Sequence, residues 1–437
     1  MLDILRNRTY SRLFAAQVIA LLGTGLMTVA LGLLAYDIAG ANAGAVLGTA
    51  LAIKMIAYVG VAPVAQALAD NLPRRSLLVS LDLARAAVAL SLPFITEVWQ
   101  IYALIFLLQV ASASFTPSFQ AVIPDILPDE KDYTRALSLS RLAYDLENLI
   151  SPMLAAALLT VIGFHYLFAG TVAGFLISAA LIVSITLPVT SAARRGGFAE
   201  RTTRGMRIYL ATPRLRGLLA ICLAVAAAGA MVIVNTVVIV QARFGLGEVE
   251  VAWAFAAFGS GSMLAALALP RLLDRVEDRL VMIAGAAALV AGMVIGSAID
   301  GFATLLPLWL FLGVAYSTAQ TPSGRLLRRS ARPEDRPAIF AAQFALSHAC
   351  WLVCYPLAGR LGASLGLEVT FLVMSVVSAV AVVLAIRLWP AGETPEIPHE
   401  HPELDPAHPH LRAHGTDGAH RHAYVIDDLH PRWPRAA

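Results

Sequence analysis

The chain has 437 residues, of which 58% are hydrophobic and only 14% are charged, whereas a soluble globular domain is nearer one quarter charged. Its apolar residues occur in blocks long enough to cross a bilayer as helices, which takes roughly 20 residues, and the blocks recur as far as residue 389. This composition excludes an ordinary soluble protein. We expect the lipid bilayer as a partner and no nucleic acid, and the net charge is +3.

The apolar blocks predict twelve membrane-spanning helices. They lie near 13–36, 44–66, 76–96, 99–122, 138–161, 165–188, 217–240, 250–270, 280–299, 302–320, 338–361 and 367–389. Lys and Arg are concentrated in alternate connections, beginning with Arg6 and Arg8 and ending with Arg332 and Arg336. Because basic loops stay on the cytoplasmic side, we expect a multi-pass protein of the cell (inner) membrane with both termini in the cytoplasm.

The two halves of the chain repeat with a shift of about 204 residues. The matched landmarks are Arg12 with Arg216, Asp70 and Arg75 with Asp274 and Arg279, Thr116-Pro117-Ser118 with Thr321-Pro322-Ser323, and Pro152 with Pro356. All of them fall at equivalent points of the predicted topology, so they indicate an internal duplication. The predicted fold is therefore an all-α membrane protein in which twelve transmembrane helices form two six-helix bundles related by pseudo-twofold symmetry.

The duplication divides the chain into four parts. Residues 1–188 form the N-terminal six-helix bundle, 189–215 a basic cytoplasmic linker, 216–389 the C-terminal bundle, and 390–437 a His- and Pro-rich cytoplasmic tail that is expected to be largely disordered. Transporters built from such repeats bind their substrate between the two halves and rock around it.

The loop after the second predicted span carries the segment Gln66-Ala-Leu-Ala-Asp70-Asn-Leu-Pro73-Arg74-Arg75. It resembles the loop signature of the major facilitator superfamily, Gly-x-Leu-Ala-Asp-Arg-x-Gly-Arg-Arg, with Gln66 and Pro73 in place of two glycines. The resemblance covers about 1–389. It implies a gating latch between the halves made by Asp70, Arg74 and Arg75, with Asp274 and Arg279 as the second copy. A simpler interpretation is that these residues only anchor the helices at the membrane surface.

The fifth predicted span contains Ser151-Pro152-Met-Leu-Ala155-Ala156. This segment is similar to the antiporter motif of the superfamily, Gly-Pro-x-x-Gly-Gly, which implies export in exchange for protons. Small residues at such positions let two helices approach closely. The alternative is ordinary packing of a helix that is bent by its proline.

Several ionisable residues fall inside predicted spans, where a charge is costly and marks a functional candidate. They are Lys54, Asp82, Arg85, Arg141, Asp145, Glu147 and His348. Asp82 and Arg85 are three residues apart on one helical face, which favours a structural ion pair near the cytoplasmic interface. Lys54 and Glu147 have no opposite charge one turn away, so they are candidates for pairing across helices and for proton exchange.

His348, Cys350 and Cys354 occur close together in the eleventh span, but helical geometry points His348 away from Cys350, which favours core packing over a metal site. Five further polar residues are candidates for lining a central cavity, by position alone. They are Gln17, Gln109, Asn235, Tyr316 and Gln320.

The tail contains eight of the ten histidines. Seven of them are candidate ligands of a divalent metal, namely His399, His401, His408, His410, His414, His420 and His422. Imidazole binds nickel, zinc and copper, so such a metal is the one possible cofactor, and none is required. The apolar groups between Tyr424 and Trp433 could dock the end of the tail on the cytoplasmic face.

The predicted function is secondary active transport rather than catalysis, with export of a small solute against protons. A transporter core with a His-rich tail resembles the nickel-resistance exporters of the superfamily, which implies a divalent metal such as nickel as substrate. The same branch includes siderophore and drug exporters, for which the tail would be an accessory. A metal-sensing membrane protein is the alternative of another class. A P-loop pump and a His-Glu-x-x-His protease are excluded because neither motif occurs.

Overall fold

The structure, a computed structural model, describes residues 2–69, 73–187, 198–332, 335–392, 396–400, 405, 411, 420–427, 429–430 and 432–434. The α-helices are α1 (Arg8–Ala39), α2 (Ala43–Ala69), α3 (Arg74–Ser91), α4 (Val98–Ile126), α5 (Glu130–Leu159), α6 (His165–Val183), α7 (Phe198–Ala211), α8 (Pro213–Val237), α9 (Glu248–Leu273), α10 (Asp278–Gly296), α11 (Phe302–Gln320), α12 (Ser323–Arg329), α13 (Arg336–Leu365) and α14 (Leu367–Leu388). Two strands, β1 (Glu396–His399) and β2 (His420–Ala423), lie in the tail.

All helices except α7 and α12 are long enough to cross a membrane, and they coincide with the twelve predicted spans. Among the described residues, ten stretches are both long and apolar enough to do so. The first of these, Arg8–Tyr58, contains α1 and the first part of α2. Helix α5 is not among the ten, and its sequence carries Arg141, Asp145 and Glu147.

The outer surface of the bundle is apolar, as expected for contact with lipid. Leu267, Leu280 and Val376 are 72%, 60% and 61% exposed although their side chains are purely hydrocarbon. Lipid replaces water around such residues, so burial inside the protein is not needed to stabilise them. Together with the twelve long helices, this surface defines an integral, multi-pass membrane protein.

The helix boundaries confirm the internal duplication. Helices α3 and α10 begin at Arg74 and Asp278, and α4 and α11 begin at Val98 and Phe302, so both pairs are 204 residues apart. Packing repeats as well: α1 lies against α5 and α6, and α8 lies against α13 and α14 in the same way. Across the halves, α2 packs on α13 while α5 packs on α9, which is the exchange that a pseudo-twofold axis produces.

The ends of the bundle are marked by contacts between first and last helices of each half. The Nη1 atom of Arg12 in α1 donates to the carbonyl oxygen of Ser184, just after α6, at 2.9 Å. Gly217 in α8 packs against the side chain of Trp389, just after α14. Helices α1 and α8 therefore begin where α6 and α14 end, and we call this end of the bundle the terminal face.

The second half departs from the repeat at Pro322. Helix α4 continues without a break to Ile126, whereas the equivalent segment ends as α11 at Gln320 and resumes as the short helix α12. The matched proline of the first half, Pro117, lies inside the unbroken α4, so a proline at this point does not by itself account for the break. Helix α12 carries Arg325 and Arg329 at the terminal face, close to the end of α9.

Helix α7 was not predicted, because the segment 189–215 was interpreted only as a basic linker. In the structure, Arg204 of α7 forms an ion pair with Asp335 at 2.6 Å, directly before α13. A methyl group on Gly205 would lie 2.2 Å from the carbonyl oxygen of Ala338, so the two backbones are in close contact there. Ile208 and Tyr209 are fully buried, and α7 is therefore part of the C-terminal half.

The tail contains two paired strands, whereas its composition predicts a largely disordered segment. Strands β1 and β2 pair antiparallel, with His399 opposite His420 and Ile397 opposite His422. Tyr424 and Ile426 are buried in the main apolar core, and Trp433 packs beside them. The expected docking of this last segment is confirmed, whereas most of the residues between β1 and β2 lie outside the described part of the chain.

Candidate transport site and metal-binding tail

Glu147 in α5 and Lys54 in α2 interact electrostatically across the helices of the N-terminal half. Both side chains are partly buried by neighbouring atoms. A methyl group on Gly25 of α1 would lie 3.6 Å from the Glu147 Cγ atom, so α1 is a close neighbour of this side chain. A direct pairing of Lys54 and Glu147 across helices remains a prediction.

The Lys54 ammonium is linked to the other half through aromatic contacts. Its Nζ atom lies 6.0 Å from the ring centre of Tyr58 in the same helix. The Tyr58 ring in turn contacts Phe344 and His348 of α13, with ring centres 6.0 and 5.7 Å apart. A titratable pair in one half therefore stands beside a histidine of the other half, at the surface where the two bundles meet.

His348 itself is held by its own helix. Its Nδ1 atom is 2.7 Å from the Phe344 carbonyl oxygen, and its ring lies 3.9 Å from the Phe344 ring. Because the carbonyl can only accept, Nδ1 carries the hydrogen of this contact. Cys354 is fully buried in the main core, which agrees with a packing role for this part of α13. Tyr58, which connects the two halves here, was not singled out from the sequence, since a tyrosine in an apolar span carries no distinctive signal.

Asp82 and Arg85 form a fully buried ion pair within α3. Ser178 of α6 donates to the second carboxylate oxygen at 2.7 Å. The Arg85 guanidinium lies between the rings of Phe115 and Phe175, 4.1 and 4.5 Å from their centres. These contacts are with helices of the same half, which favours a structural role for the pair. Asp82 lies at the middle of α3, and its expected position near the cytoplasmic interface remains a prediction.

The candidate cavity residues are found in several different environments. Gln17 is buried and accepts a hydrogen bond from Ser140 of α5 at 3.0 Å. Gln109 is buried in α4, Gln320 is partly buried at the end of α11, and the Tyr316 ring meets Phe258 at 5.5 Å. Arg141 and Asp145 have side chains outside the described part of the chain.

Asn235 of α8 lies where three helices converge. Its Nδ2 atom donates to the carbonyl oxygen of Ala358 in α13 at 3.2 Å. Methyl groups placed on Gly44 of α2 and Gly362 of α13 would lie 2.7 and 2.8 Å from its Oδ1 atom. Asn235 is thus a close-packed group between the halves, at the end of the bundle away from the terminal face.

The motif in α5 acts as a helix contact in this structure. Ser151 is fully buried, and a methyl group on Gly25 of α1 would lie only 2.1 Å from its Cβ and Oγ atoms. Ala155 is fully buried as well. The side chains of Pro152 and Ala156 lie outside the described part of the chain. Small residues at both helices allow the close approach of α1 and α5.

The arginines of the loop signature bind within their own halves. Arg75 donates to the carbonyl oxygen of Val183 at the end of α6. Arg279 does the same at the end of α14, with its Nε atom 2.7 Å from the Trp389 carbonyl oxygen. Basic groups at a helix C-terminus bind its unpaired carbonyls and oppose its negative dipole. These contacts do not cross the interface that the predicted latch would close.

The carboxylates of the signature behave differently from one another. Asp70 lies outside the described residues, Arg74 is the first residue of α3, and Asp274 is an exposed residue just after α9. Asp278 is buried instead, with Arg325 and Arg329 at 2.5 and 3.3 Å. Asp278 is not among the residues predicted from the sequence, because the second copy of the loop signature places its carboxylate four residues earlier, at Asp274. The latch remains a prediction for Asp70.

Four histidines of the tail converge beside the terminal face. Ligand atoms of His399, His420 and His422 all lie within 4.8 Å of one another. The Nε2 atom of His430 is 3.0 Å from that of His399. Three of these four were candidates from the sequence, and His430 was not. The other four candidates, His401, His408, His410 and His414, lie outside the described residues.

Asp427 connects this histidine group to the membrane-spanning part of the chain. Its carboxylate accepts from the His430 Nδ1 atom at 2.8 Å and lies 2.5 Å from the Arg332 guanidinium, in the segment between α12 and α13. Burial raises the pKa of Asp427, but the His430 hydrogen bonds and the Arg332 charge outweigh it and hold that pKa at about 2. Burial lowers the pKa of His399 to about 4, against the effect of its bond to the Ile397 carbonyl.

Two repeated bundles of six helices that pack against each other through α2–α13 and α5–α9 define a secondary-type membrane transporter. Comparison with known proteins supports this assignment to the membrane transporters. The sequence model of the Major Facilitator Superfamily matches residues 13–247 and again 218–419, so the chain belongs to this superfamily.

Curated relatives of the chain are bacterial transport proteins. It is 23% identical over 64% of its length to an uncharacterized MFS-type transporter, YfiS, of Bacillus subtilis, covering 69% of that protein. It is also 23% identical over 40% of its length to macrolide efflux protein A of Streptococcus pyogenes. The matched region is less than half, 44%, of that relative's length.

Solved structures share the fold at low identity. A bacterial homolog of the human lysosomal transporter Spinster, in an inward-facing and occupied conformation, matches with a TM-score of 0.69 and 11% identity. That match covers 88% of this chain and 96% of the other. The nucleoside transporter NupG matches with a TM-score of 0.64 and 12% identity, over 87% and 98% of the two chains. These likenesses show the architecture.

Proposed function

We propose that this protein exports a small solute across the cell inner membrane, in exchange for protons, by alternating access between its two halves. Both termini then lie in the cytoplasm, in agreement with exposed Arg271, Arg275, Arg325 and Arg328 at the terminal face. The observation that carries the proposal is the Lys54–Glu147 pair, placed next to Tyr58 and His348 where the halves meet.

Glu147 is the proposed proton carrier. A carboxylate inside the bilayer is costly unless it is paired or protonated. With Lys54 beside it, Glu147 can remain ionised. When water reaches the pair from one side, or a cationic substrate displaces Lys54, the balance between the charged and the protonated form changes. A cation and a proton would then occupy the same carboxylate in turn, which is the requirement for exchange.

The proposed substrate is a divalent metal such as nickel. It is supported by the histidine-rich tail, which would capture metal at the cytoplasmic face next to the transport path. The alternative is a multidrug or siderophore exporter with an accessory tail. The similarity to macrolide efflux protein A favours this alternative.

A metal-sensing membrane protein is the alternative of another class. A sensor would require the tail site but not two bundles in matched contact through α2–α13 and α5–α9. The two equivalent contacts favour a transporter, because contacts between the halves can break and form again as the halves move during a transport cycle.

Flux measurements in proteoliposomes test these proposals. We expect Glu147→Gln to abolish proton-driven nickel or macrolide flux, while Glu248→Gln at the start of α9 leaves it unchanged. Wild-type flux from Glu147→Gln would eliminate the proposed coupling. Nickel flux without macrolide flux selects the metal substrate, the reverse selects the drug, and tail binding without any flux indicates a sensor.

A further inference from the structure

The two facing histidines of the tail have fixed tautomers. The Nδ1 atom of His399 lies 2.8 Å from the Ile397 carbonyl oxygen, which can only accept. The Nδ1 atom of His430 lies 2.8 Å from the ionised Asp427 carboxylate, which also accepts. Each Nδ1 therefore carries a hydrogen, which leaves Nε2 as the atom of each ring that can bind a metal when the ring is neutral.

The two Nε2 atoms face one another. The Nε2 atoms of His399 and His430 are 3.0 Å apart, and two acceptors at that distance repel unless a positive ion stands between them. A proton could join two nitrogens, but four imidazoles converge here. The ring centres of His420 and His422 both lie 4.5 Å from that of His399, and His422 is 5.1 Å from His430.

The spacing of the four donors suits a tetrahedral metal. Zinc binds imidazole nitrogen at about 2.0–2.1 Å, which places neighbouring ligand atoms about 3.3 Å apart. The His399–His430 nitrogens at 3.0 Å, and the ligand atoms within 4.8 Å in the other three, need only small movements to reach this geometry. The Asp427 carboxylate behind His430 is the usual support that orients a ligand histidine.

We propose that His399, His420, His422 and His430 bind one divalent transition-metal ion, which fastens the tail to the terminal face of the C-terminal half. The ion joins β1 and β2 to the segment that carries Asp427. Through Asp427 it is connected to Arg332, directly before α13, the helix that packs against α2 of the other half. This attachment of the tail by a metal ion does not depend on which solute is transported.

Metal binding to the full-length protein in detergent tests the site. After chelation, we expect one Zn²⁺ or Ni²⁺ to bind tightly in calorimetry, with four nitrogen neighbours at about 2.0 Å in the X-ray absorption of the zinc form. His430→Ala should weaken this site at least tenfold, and Asp427→Asn by about 10–100-fold. His408→Ala is the matched control and should leave the tight site intact.

Proteolysis gives a readout that does not depend on affinity alone. Arg421 is exposed between two of the proposed ligands. Metal at 100 times its wild-type Kd should slow tryptic cleavage there by about 100-fold in the wild type, and by about tenfold or less in His430→Ala at the same metal concentration. Equal losses of affinity from His408→Ala and His430→Ala, or oxygen neighbours in place of imidazole, would overturn the assignment.

Discussion

The Nε atom of Arg279 lies 2.7 Å from the carbonyl oxygen of Trp389, at the point where α14 ends. The repeat places Arg75 in the same position in the other half, where it donates to Val183 at the end of α6. Both arginines of the loop signature thus complete the last turn of the sixth helix in their own bundle. Their first role in this structure is to hold each bundle together.

Loss of this contact should lower stability. A hydrogen bond from a charged group contributes about 1.5–3 kcal/mol, so we expect Arg279→Gln and Arg75→Gln to unfold at lower temperature than the wild type in detergent. Arg360→Gln, at an exposed position inside α13, is the control and should have an unchanged Tm. Unchanged melting of Arg279→Gln with lost transport would instead support a role in gating.

Lys54 and Glu147 should act as one unit. If each side chain stabilises the protein mainly through its interaction with the other, the effects of Lys54→Met and Glu147→Gln on the free energy of unfolding will not add. We expect the double variant to be no less stable than the worse single variant, measured by thermal unfolding of all four proteins. Strict additivity would show that the two residues do not interact.

Gly48 should control the contact between the halves. A methyl group there would lie 2.4 Å from the carbonyl oxygen of Tyr355, across the α2–α13 interface. Overpacking costs about 1–3 kcal/mol, so Gly48→Ala should disfavour the conformation seen here by roughly 5–150-fold. Reactivity of a single cysteine placed near this contact should rise, and transport should fall.

The loop variant Gly163→Ala is the matched control for this experiment, because a methyl group there meets open space. If both alanine variants have the same cysteine reactivity, the α2–α13 contact does not limit the cycle.

The α1–α5 contact offers a test by compensation. Gly25→Ala should clash with the Ser151 side chain, because the new methyl would lie 2.1 Å from its Cβ atom. We expect a loss of about 1–3 kcal/mol in unfolding free energy, most of which returns when Ser151→Gly is added. A double variant as unstable as Gly25→Ala would mean that the clash lies elsewhere.

Much of the architecture could be predicted from the sequence because bilayer helices have a length and an apolar composition that local inspection can recognise. Helix α11 begins and ends at the predicted residues, Phe302 and Gln320. The repeat was visible because Asp274 and Arg279 keep the spacing of Asp70 and Arg75. In contrast, the docking of α7 depends on the Arg204–Asp335 pair, 131 residues apart in the chain, which no local pattern reveals.

The tail shows the same limit. Its composition indicated metal ligands, but not which of them would meet. His430 joins His399 only because β1 and β2 pair and Asp427 reaches Arg332. Such long-range geometry is set by packing, so the sequence could name the ligand type and not the ligand set.

The docking of α7 on α13 also limits how far the bundles can separate on the terminal face. With α7 bound to the second bundle, the covalent tether runs only from Leu187 to Phe198. Eleven Cα steps of at most about 3.6 Å each span about 40 Å when fully extended. Deleting residues from this tether one after another should reduce, step by step, the largest distance by which the two bundles can separate on the terminal face.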